Sequence, residues 1–165
     1  MALPLENYVH HVSLLCPDIA ASESFYTSLL GFEKIKRPLS FDFDGVWLRK
    51  GSISLHLIQP RDGQSWSREH VNGGEVEIDS RSDHLSFIST VPLDTIEEIL
   101  VSKGIRYERQ WLKEGDVVVE QIFLHDPSHF LIEICNCDAL SEAEDDSPRS
   151  TETCQGRMDM RGGFF

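Results

Sequence analysis

The stretch His11-Val12-Ser13-Leu14-Leu15 has a counterpart 73 positions later in His84-Leu85-Ser86-Phe87-Ile88. Both segments begin with a histidine and continue with the apolar residues that are typical of a buried β-strand. Each is followed by a segment with helical spacing of apolar residues, and these segments end at Gly31 and Gly104, again 73 positions apart. Glycine readily adopts the left-handed conformation that ends a helix. One structural unit is therefore predicted to occur twice.

Each predicted helix is followed by three predicted strands. The strands cover residues 33–36, 41–48 and 53–59 in the first unit and residues 105–110, 117–124 and 130–135 in the second. The order β-α-β-β-β in both units predicts an α+β fold of two βαβββ modules. Module one spans about residues 8–60 and module two about residues 83–137. Residues 61–82 lack periodicity and are rich in Gly, Ser, Asp and Glu, which indicates a linker.

Length and charge limit the classes of function. A chain of 165 residues is long enough for one domain with a real core, which we place at residues 1–138. The formal net charge of -13 disfavours binding to nucleic acid or to an anionic membrane surface. No apolar run approaches the roughly 20 residues that span a bilayer, and the N-terminus lacks the features of a secretory signal. A cytoplasmic location is therefore expected.

The cysteines and the C-terminal segment add two expectations. The four cysteines, Cys16, Cys135, Cys137 and Cys154, show no CxxC spacing, so reduced thiols are expected. The alternative is a metal or redox pair at Cys135-Asn136-Cys137. Residues 139–165 are acidic and almost without apolar residues before Phe164-Phe165. Such a segment buries too little surface to offset its ordering entropy, and a disordered tail is predicted. The alternative for this tail is a segment that binds a partner.

Four polar residues occupy equivalent positions in the two modules. His11 and His84 open the first strand of each module, while His56 and Glu133 lie in the fourth strands. His56 is flanked by two leucines and Glu133 by two isoleucines. With a period of two, a polar residue between apolar neighbours points away from the face that packs on the helix. All four side chains are therefore predicted to point to the concave face of the sheets.

Three imidazoles and one carboxylate on this face suggest a metal site. Burying these groups is costly unless each finds a partner, and one divalent cation satisfies them together. Histidine and glutamate are ligands that suit Zn, Ni, Co, Mn or Fe(II). The alternative is four separately hydrogen-bonded polar residues on a solvated face. The equivalence of the four positions favours the metal, with His11, His56, His84 and Glu133 as ligands.

Short motifs along the chain resemble the glyoxalase I, or vicinal-oxygen-chelate (VOC), superfamily. They are the His11 stretch, Phe25-Tyr26, Leu29-Leu30-Gly31-Phe32 and the turn Asp126-Pro127 before Leu131-Ile132-Glu133-Ile134. The resemblance covers about residues 7–137. It implies that the paired modules curl into a half-barrel around a metal, often with modules exchanged or packed across a homodimer. The four ligands would then meet either within one chain or across two chains.

The resemblance also implies an activity, with one departure. His11, His84 and Glu133 match three metal ligands that the superfamily shares, and His56 stands where glyoxalase I usually has Glu. The implied reaction is that of lactoylglutathione lyase, in which metal-bound carboxylates move a proton between adjacent carbons of a glutathione hemithioacetal. Methylglyoxal is a typical 2-oxoaldehyde precursor, and glutathione is the implied co-substrate. With His56 in place of Glu, Glu133 is the remaining catalytic carboxylate.

Two other functions fit the same residues. Two histidines and one carboxylate also hold Fe(II) with open positions for oxygen, as in a non-haem Fe(II) dioxygenase-like enzyme. A third reading is a non-catalytic module that binds a metal or a small molecule. All three readings expect a small molecule as the partner, and homodimerisation is expected from the resemblance.

Overall fold

The computed structural model describes residues 6, 8–62, 64, 76–114, 117–136 and 156–158. The chain divides into two units, the first made of Met1–Val71 with Asp126–Ser128 and the second of Asn72–His125 with His129–Phe165. The first unit includes a turn, Asp126–Ser128, from the part of the chain predicted as module two. No helix in the described ranges is long and apolar enough to cross a membrane.

The first unit contains a four-stranded mixed sheet and one helix. Its elements are β1 (Val12–Leu15), α1 (Ile19–Ser28), β2 (Glu33–Ile35), β3 (Gly45–Lys50) and β4 (Ile53–Ile58), with strand order β1-β4-β3-β2. Strand β1 runs parallel to β4, and the other neighbours are antiparallel. β3 begins later than predicted, at Gly45, which pairs with Ile58, the last residue of β4. Beyond this point Pro60 has no N–H to continue the ladder.

Helix α1 has a well-defined start and end. The carboxylate of Asp18 accepts a hydrogen bond from the Ala21 N–H at 2.9 Å and caps the N-terminus. Gly31 follows the helix with a φ of 69°, the left-handed conformation that was predicted for it. Tyr26 is fully buried, and its hydroxyl donates a 2.9 Å hydrogen bond to Asp126. This bond ties the turn Asp126–Ser128 to the first unit.

The second unit repeats the pattern and adds a strand. Its elements are β5 (His84–Ile88), α2 (Leu93–Ser102), β6 (Tyr107–Glu114), β7 (Val117–His125), β8 (Leu131–Cys135) and β9 (Gly156–Met158), with strand order β5-β8-β7-β6-β9. Gly104 follows α2 with a φ of 64°. The predicted α+β class with two βαβββ modules is therefore confirmed.

The linker was predicted as a connecting segment and the tail as a disordered one, and described residues of both take part in the second unit. Ile78, near the end of the linker, is buried in a cluster with Phe123 and Leu131. In the tail, Gly156–Met158 forms β9, which pairs antiparallel with β6. The remaining tail residues lie outside the described residues.

The expectation of four reduced thiols is wrong for Cys135. Cys16 is a buried thiol, whereas Cys135 is disulfide-bonded. Cys137 and Cys154 lie outside the described residues. A disulfide requires only that two Cα atoms come within about 4.4–6.8 Å in the fold, which spacing along the chain does not reveal.

Candidate functional site

Strand register places the predicted site residues at equivalent positions in the two sheets. In the first unit Ser13 of β1 is opposite His56 of β4, and in the second unit Ser86 of β5 is opposite Glu133 of β8. His84 is the first residue of β5, as predicted. The corresponding histidine of the first unit, His11, directly precedes β1 instead of opening it. The equivalence inferred from the repeat therefore holds at the level of strand pairing.

His84 and Glu133 form a close pair in the second unit. His84 Nε2 lies 3.0 Å from Glu133 Oε2. Glu133 is buried, with 4% of its surface exposed. The other ring nitrogen, His84 Nδ1, lies 2.7 Å from the carbonyl oxygen of Ser82. Since a carbonyl oxygen only accepts hydrogen bonds, Nδ1 carries a proton and donates it.

The proton on Nδ1 determines how His84 Nε2 can lie close to the carboxylate of Glu133. In a neutral imidazole that is protonated on Nδ1, Nε2 carries a lone pair. A lone pair 3.0 Å from a carboxylate oxygen is repelled unless a cation lies between them or Nε2 is also protonated. Two ligand atoms that share an ion at about 2.0–2.1 Å are themselves roughly 3 Å apart. The pair therefore fits two ligands of one divalent metal, with the Ser82 carbonyl orienting the imidazole.

A third side chain, Gln121, also contacts Glu133. Gln121 of β7 donates its side-chain N–H to Glu133 Oε1 at 2.5 Å. Phe123, two residues further along β7, contacts the His84 ring edge-on, with centroids 5.8 Å apart. Sequence reasoning missed Gln121 and Ser82. The alternation of β7 could have indicated Gln121, because it lies on the same face as Phe123.

His11 and His56 come together in the first unit. Their rings stack with centroids 4.1 Å apart and an angle of 17° between the planes. The opposite face of His56 stacks on Trp47, with centroids 4.0 Å apart and an angle of 4°. Trp47 of β3 is the cross-strand partner of His56. The imidazole of His56 is thus held between two aromatic rings.

The surroundings of His56 favour its neutral form. Burial lowers the pKa of His56 below its ordinary value, and the nearby His11 and His10 lower this pKa further by charge repulsion. His10 Nδ1 lies 2.9 Å from His11 Nδ1, so the three imidazoles form one group. A neutral imidazole keeps the lone pair that a metal ligand needs.

In the stacked arrangement, His11 and His56 do not both point a nitrogen lone pair at the same ion. Nitrogen lone pairs lie in the plane of the imidazole, and the planes of His11 and His56 are nearly parallel. Parallel lone pairs do not converge on one cation, so the exposed His11 ring has to turn out of the stack to join His56 as a ligand. The described residues contain no group of three His, Cys, Asp or Glu side chains that could hold a metal. Metal binding by His11, His56, His84 and Glu133 therefore stays a prediction.

Comparisons with known proteins bear on this arrangement. A family model described as the Glyoxalase/Bleomycin resistance protein/Dioxygenase superfamily matches residues 8–134. A curated relative, Glyoxylase I 4 of Arabidopsis thaliana, is 37% identical over 132 residues, which cover 80% of this chain and 72% of the relative.

Solved structures also match the fold. A lactoylglutathione lyase from Agrobacterium tumefaciens superposes with a TM-score of 0.54 at 19% identity, covering 79% of this chain and 94% of the lyase. A virulence protein from Salmonella typhimurium has a TM-score of 0.54 at 23% identity, covering 79% of this chain and 97% of that protein. At these identities the likeness shows the fold alone.

Proposed function

The chain belongs to the Glyoxalase/Bleomycin resistance protein/Dioxygenase superfamily, and from this premise we propose that it is a glyoxalase-I-like metalloenzyme. The proposed substrate is the glutathione hemithioacetal of a 2-oxoaldehyde such as methylglyoxal. The observation that carries the proposal is the 3.0 Å contact between His84 Nε2 and the buried carboxylate of Glu133. The name of the Arabidopsis relative supports the same reaction class.

The proposed metal ligands are His84 and Glu133 from the second unit and His56 and His11 from the first. Zn, Ni, Co, Mn and Fe(II) all suit three imidazoles and one carboxylate. A bound ion would polarise the two oxygens of the substrate as a Lewis acid. We further propose a cytoplasmic homodimer, on the basis of the superfamily resemblance and the amino-acid composition.

Glu133 is the proposed catalytic base and acid. Its carboxylate takes the proton from the carbon that bears the hydroxyl and the sulfur, and returns it to the adjacent carbonyl carbon. The hydroxyl proton passes from the first oxygen to the second, so a ketone and a hemithioacetal become an alcohol and a thioester without net oxidation. Gln121 holds Oε1 of this carboxylate. Because His56 occupies the equivalent position in the first unit, Glu133 performs both proton transfers.

The test begins with metal binding. Protein purified without an affinity metal is stripped with a chelator and loaded separately with each candidate ion, and the bound metal is measured. We expect His84→Ala to abolish tight binding, since it removes one ligand and leaves the buried Glu133 without its imidazole partner. His129→Asn is the matched control, because His129 has a φ of 58° that asparagine tolerates well. Unchanged metal content in His84→Ala would refute the proposed site.

Activity assays then distinguish the three functions that fit this site. Loaded protein is mixed with methylglyoxal and glutathione, and thioester formation is followed against a protein-free blank. Isomerisation above the blank that is lost in Glu133→Gln supports the proposal. Oxygen uptake after anaerobic Fe(II) loading, without isomerisation, would instead identify a dioxygenase-like enzyme. Metal binding with thermal stabilisation but no turnover would identify a binding module.

A further inference from the structure

The ring of Trp47 lies flat against the ring of His56. The centroids are 4.0 Å apart and the planes differ by only 4°. Trp47 and His56 are direct cross-strand partners in β3 and β4, so the sheet itself brings these two side chains together. His56 is 9% exposed, which leaves its ring little freedom to turn against this face. The imidazole thus lies between two flat rings, and the plane of the indole is the closer match, at 4° against 17° for His11.

Burial of apolar surface does not by itself explain a tryptophan at position 47. The indole N–H of Trp47 is buried and has no hydrogen-bond partner among the described residues. A buried donor without an acceptor destabilises the fold, and such groups are rare in proteins. A phenylalanine or a leucine would fill apolar space without this cost. What the indole provides beyond either is a wide flat face next to the imidazole.

The second unit supports the equivalent residue in a different way. At the same register position Glu133 is opposite Phe123, and its carboxylate is held by the hydrogen bond from Gln121. A carboxylate is oriented by donors to its oxygens, whereas an imidazole offers a flat ring that can be oriented by stacking. The two units thus hold two different polar groups at one position by two different contacts.

We propose that Trp47 is a positioning residue for His56, and that its indole face fixes the plane in which the His56 nitrogen lone pairs point. The inference rests on the proposed function, in which His56 is a metal ligand. Since lone pairs lie in the ring plane, fixing that plane restricts the directions from which a cation can be bound. Contacts that orient a ligand in this way typically change metal affinity by about 10–100-fold when they are removed.

The experiment measures Co²⁺ affinity by competition with a chelator, using the full chain. Trp47→Leu removes the flat face, Trp47→Phe keeps a smaller one, and Trp111→Phe in β6 is the matched control. We expect affinity to fall about tenfold or more in Trp47→Leu, to fall less in Trp47→Phe, and to stay at the wild-type level in Trp111→Phe. Wild-type affinity in Trp47→Leu would overturn the proposal, as would equal losses in the leucine and phenylalanine variants.

A second measurement does not depend on the variants folding. In the metal-free wild-type protein, NMR should show cross-relaxation between the ring protons of Trp47 and His56, and ring-current shifts of the His56 protons. Absence of both signals would overturn the proposal. His56→Ala distinguishes this failure from failure of the proposed function. Wild-type Co²⁺ affinity in His56→Ala would remove His56 from the ligand set, whereas a loss there without a loss in Trp47→Leu would refute only the role of Trp47.

Discussion

At the scale of single residues, the two units differ in how well their proposed ligands are arranged to bind a cation. His84 has its proton on Nδ1, its ring oriented by the Ser82 carbonyl and its Nε2 directed at Glu133. His56 has a fixed ring plane and a lowered pKa, but its neighbour His11 is stacked on it instead of converging with it. The second unit therefore holds the more complete half of the proposed metal site.

The identity of residue 56 should control the rate of isomerisation. We expect His56→Glu to raise the rate of thioester formation roughly tenfold, because a second carboxylate can share the proton transfers. The gain should stay below the full effect of a placed base, about 10²–10⁴-fold, since the flat face of Trp47 does not orient a carboxylate. Initial rates with methylglyoxal and glutathione provide the measurement. His56→Gln is the neutral control, and a rate no higher in His56→Glu than in His56→Gln would contradict the prediction.

The charge state of His56 should make stability depend on pH. Its pKa is lowered in the folded protein from an ordinary value of 6.5, chiefly by burial and then by His11 and His10. The folded state therefore prefers the neutral ring, and the resulting stabilisation is complete above pH 6.5 and is lost as the pH falls through the lowered pKa. NMR titration of the His56 ring and denaturant unfolding at several pH values test this.

His11→Gln provides the comparison for this titration. Removing the His11 ring takes away one source of repulsion and exposes more of His56, so the pKa of His56 should move up toward 6.5. A wild-type pKa at or above 6.5 would contradict the prediction, and so would a downward shift in the variant.

At the scale of elements, the hairpin of β3 and β4 carries both His56 and Trp47, so its close packing matters for the site. A Cβ atom added at Gly45 would lie 2.4 Å from the carbonyl oxygen of Leu57. The strand backbones approach too closely there for any side chain. Glycine at this position is required by contact with β4, and not by an unusual backbone conformation.

Gly45→Ala should therefore destabilise the protein, by about 1–3 kcal/mol in the free energy of unfolding, because backbone must shift to relieve the clash. Gly104→Ala is the matched control. Its added Cβ would meet no atom within 4 Å, and only the φ of 64° opposes it, at about 1 kcal/mol. Urea unfolding of the three proteins gives the comparison. Wild-type stability in Gly45→Ala would contradict the prediction, because the strands would then accommodate the added Cβ without a loss in the free energy of unfolding.

At the scale of the whole chain, two of the superfamily-like motifs contact each other although 100 positions separate them. Tyr26 from the Phe25-Tyr26 motif donates its hydroxyl proton to Asp126 from the Asp126-Pro127 motif. Asp126 also accepts the backbone N–H of Ser128 at 2.7 Å, and the hydroxyls of Ser22 and Ser128 lie 3.1 Å apart. These buried contacts hold the turn before β8, the strand of Glu133, in the first unit.

Removing the Tyr26 hydroxyl should weaken the fold without affecting metal ligands directly. We expect Tyr26→Phe to lower the free energy of unfolding by about 1–3 kcal/mol, because the buried carboxylate of Asp126 loses a hydrogen-bond donor. Tyr8→Phe serves as the control, since Tyr8 is 65% exposed. Thermal and urea unfolding measure both variants. Equal stability of the two variants would argue against a structural role for the Tyr26–Asp126 bond.

Periodicity and the repeat were sufficient to predict the two βαβββ modules, both glycine helix ends and the equivalence of His56 and Glu133. These features follow from the geometry of the backbone, in which side chains alternate along a strand and recur every 3.6 residues along a helix. They are therefore visible in a single sequence. His84 and Glu133 were predicted as ligands of one metal ion, which stays a prediction; the structure places them on paired strands of one unit, with Nε2 and Oε2 3.0 Å apart.

Tertiary structure alone decided which atoms meet. The stack of Trp47 on His56, the Gln121 bond to Glu133 and the addition of β9 to β6 join groups from different strands. The Ser82 carbonyl reaches His84 from the residues just before β5. Such contacts depend on strand register, turn geometry and rotamer choice together. None of these leaves a periodic trace in the sequence, because each is the outcome of how side chains and backbone pack in the folded chain.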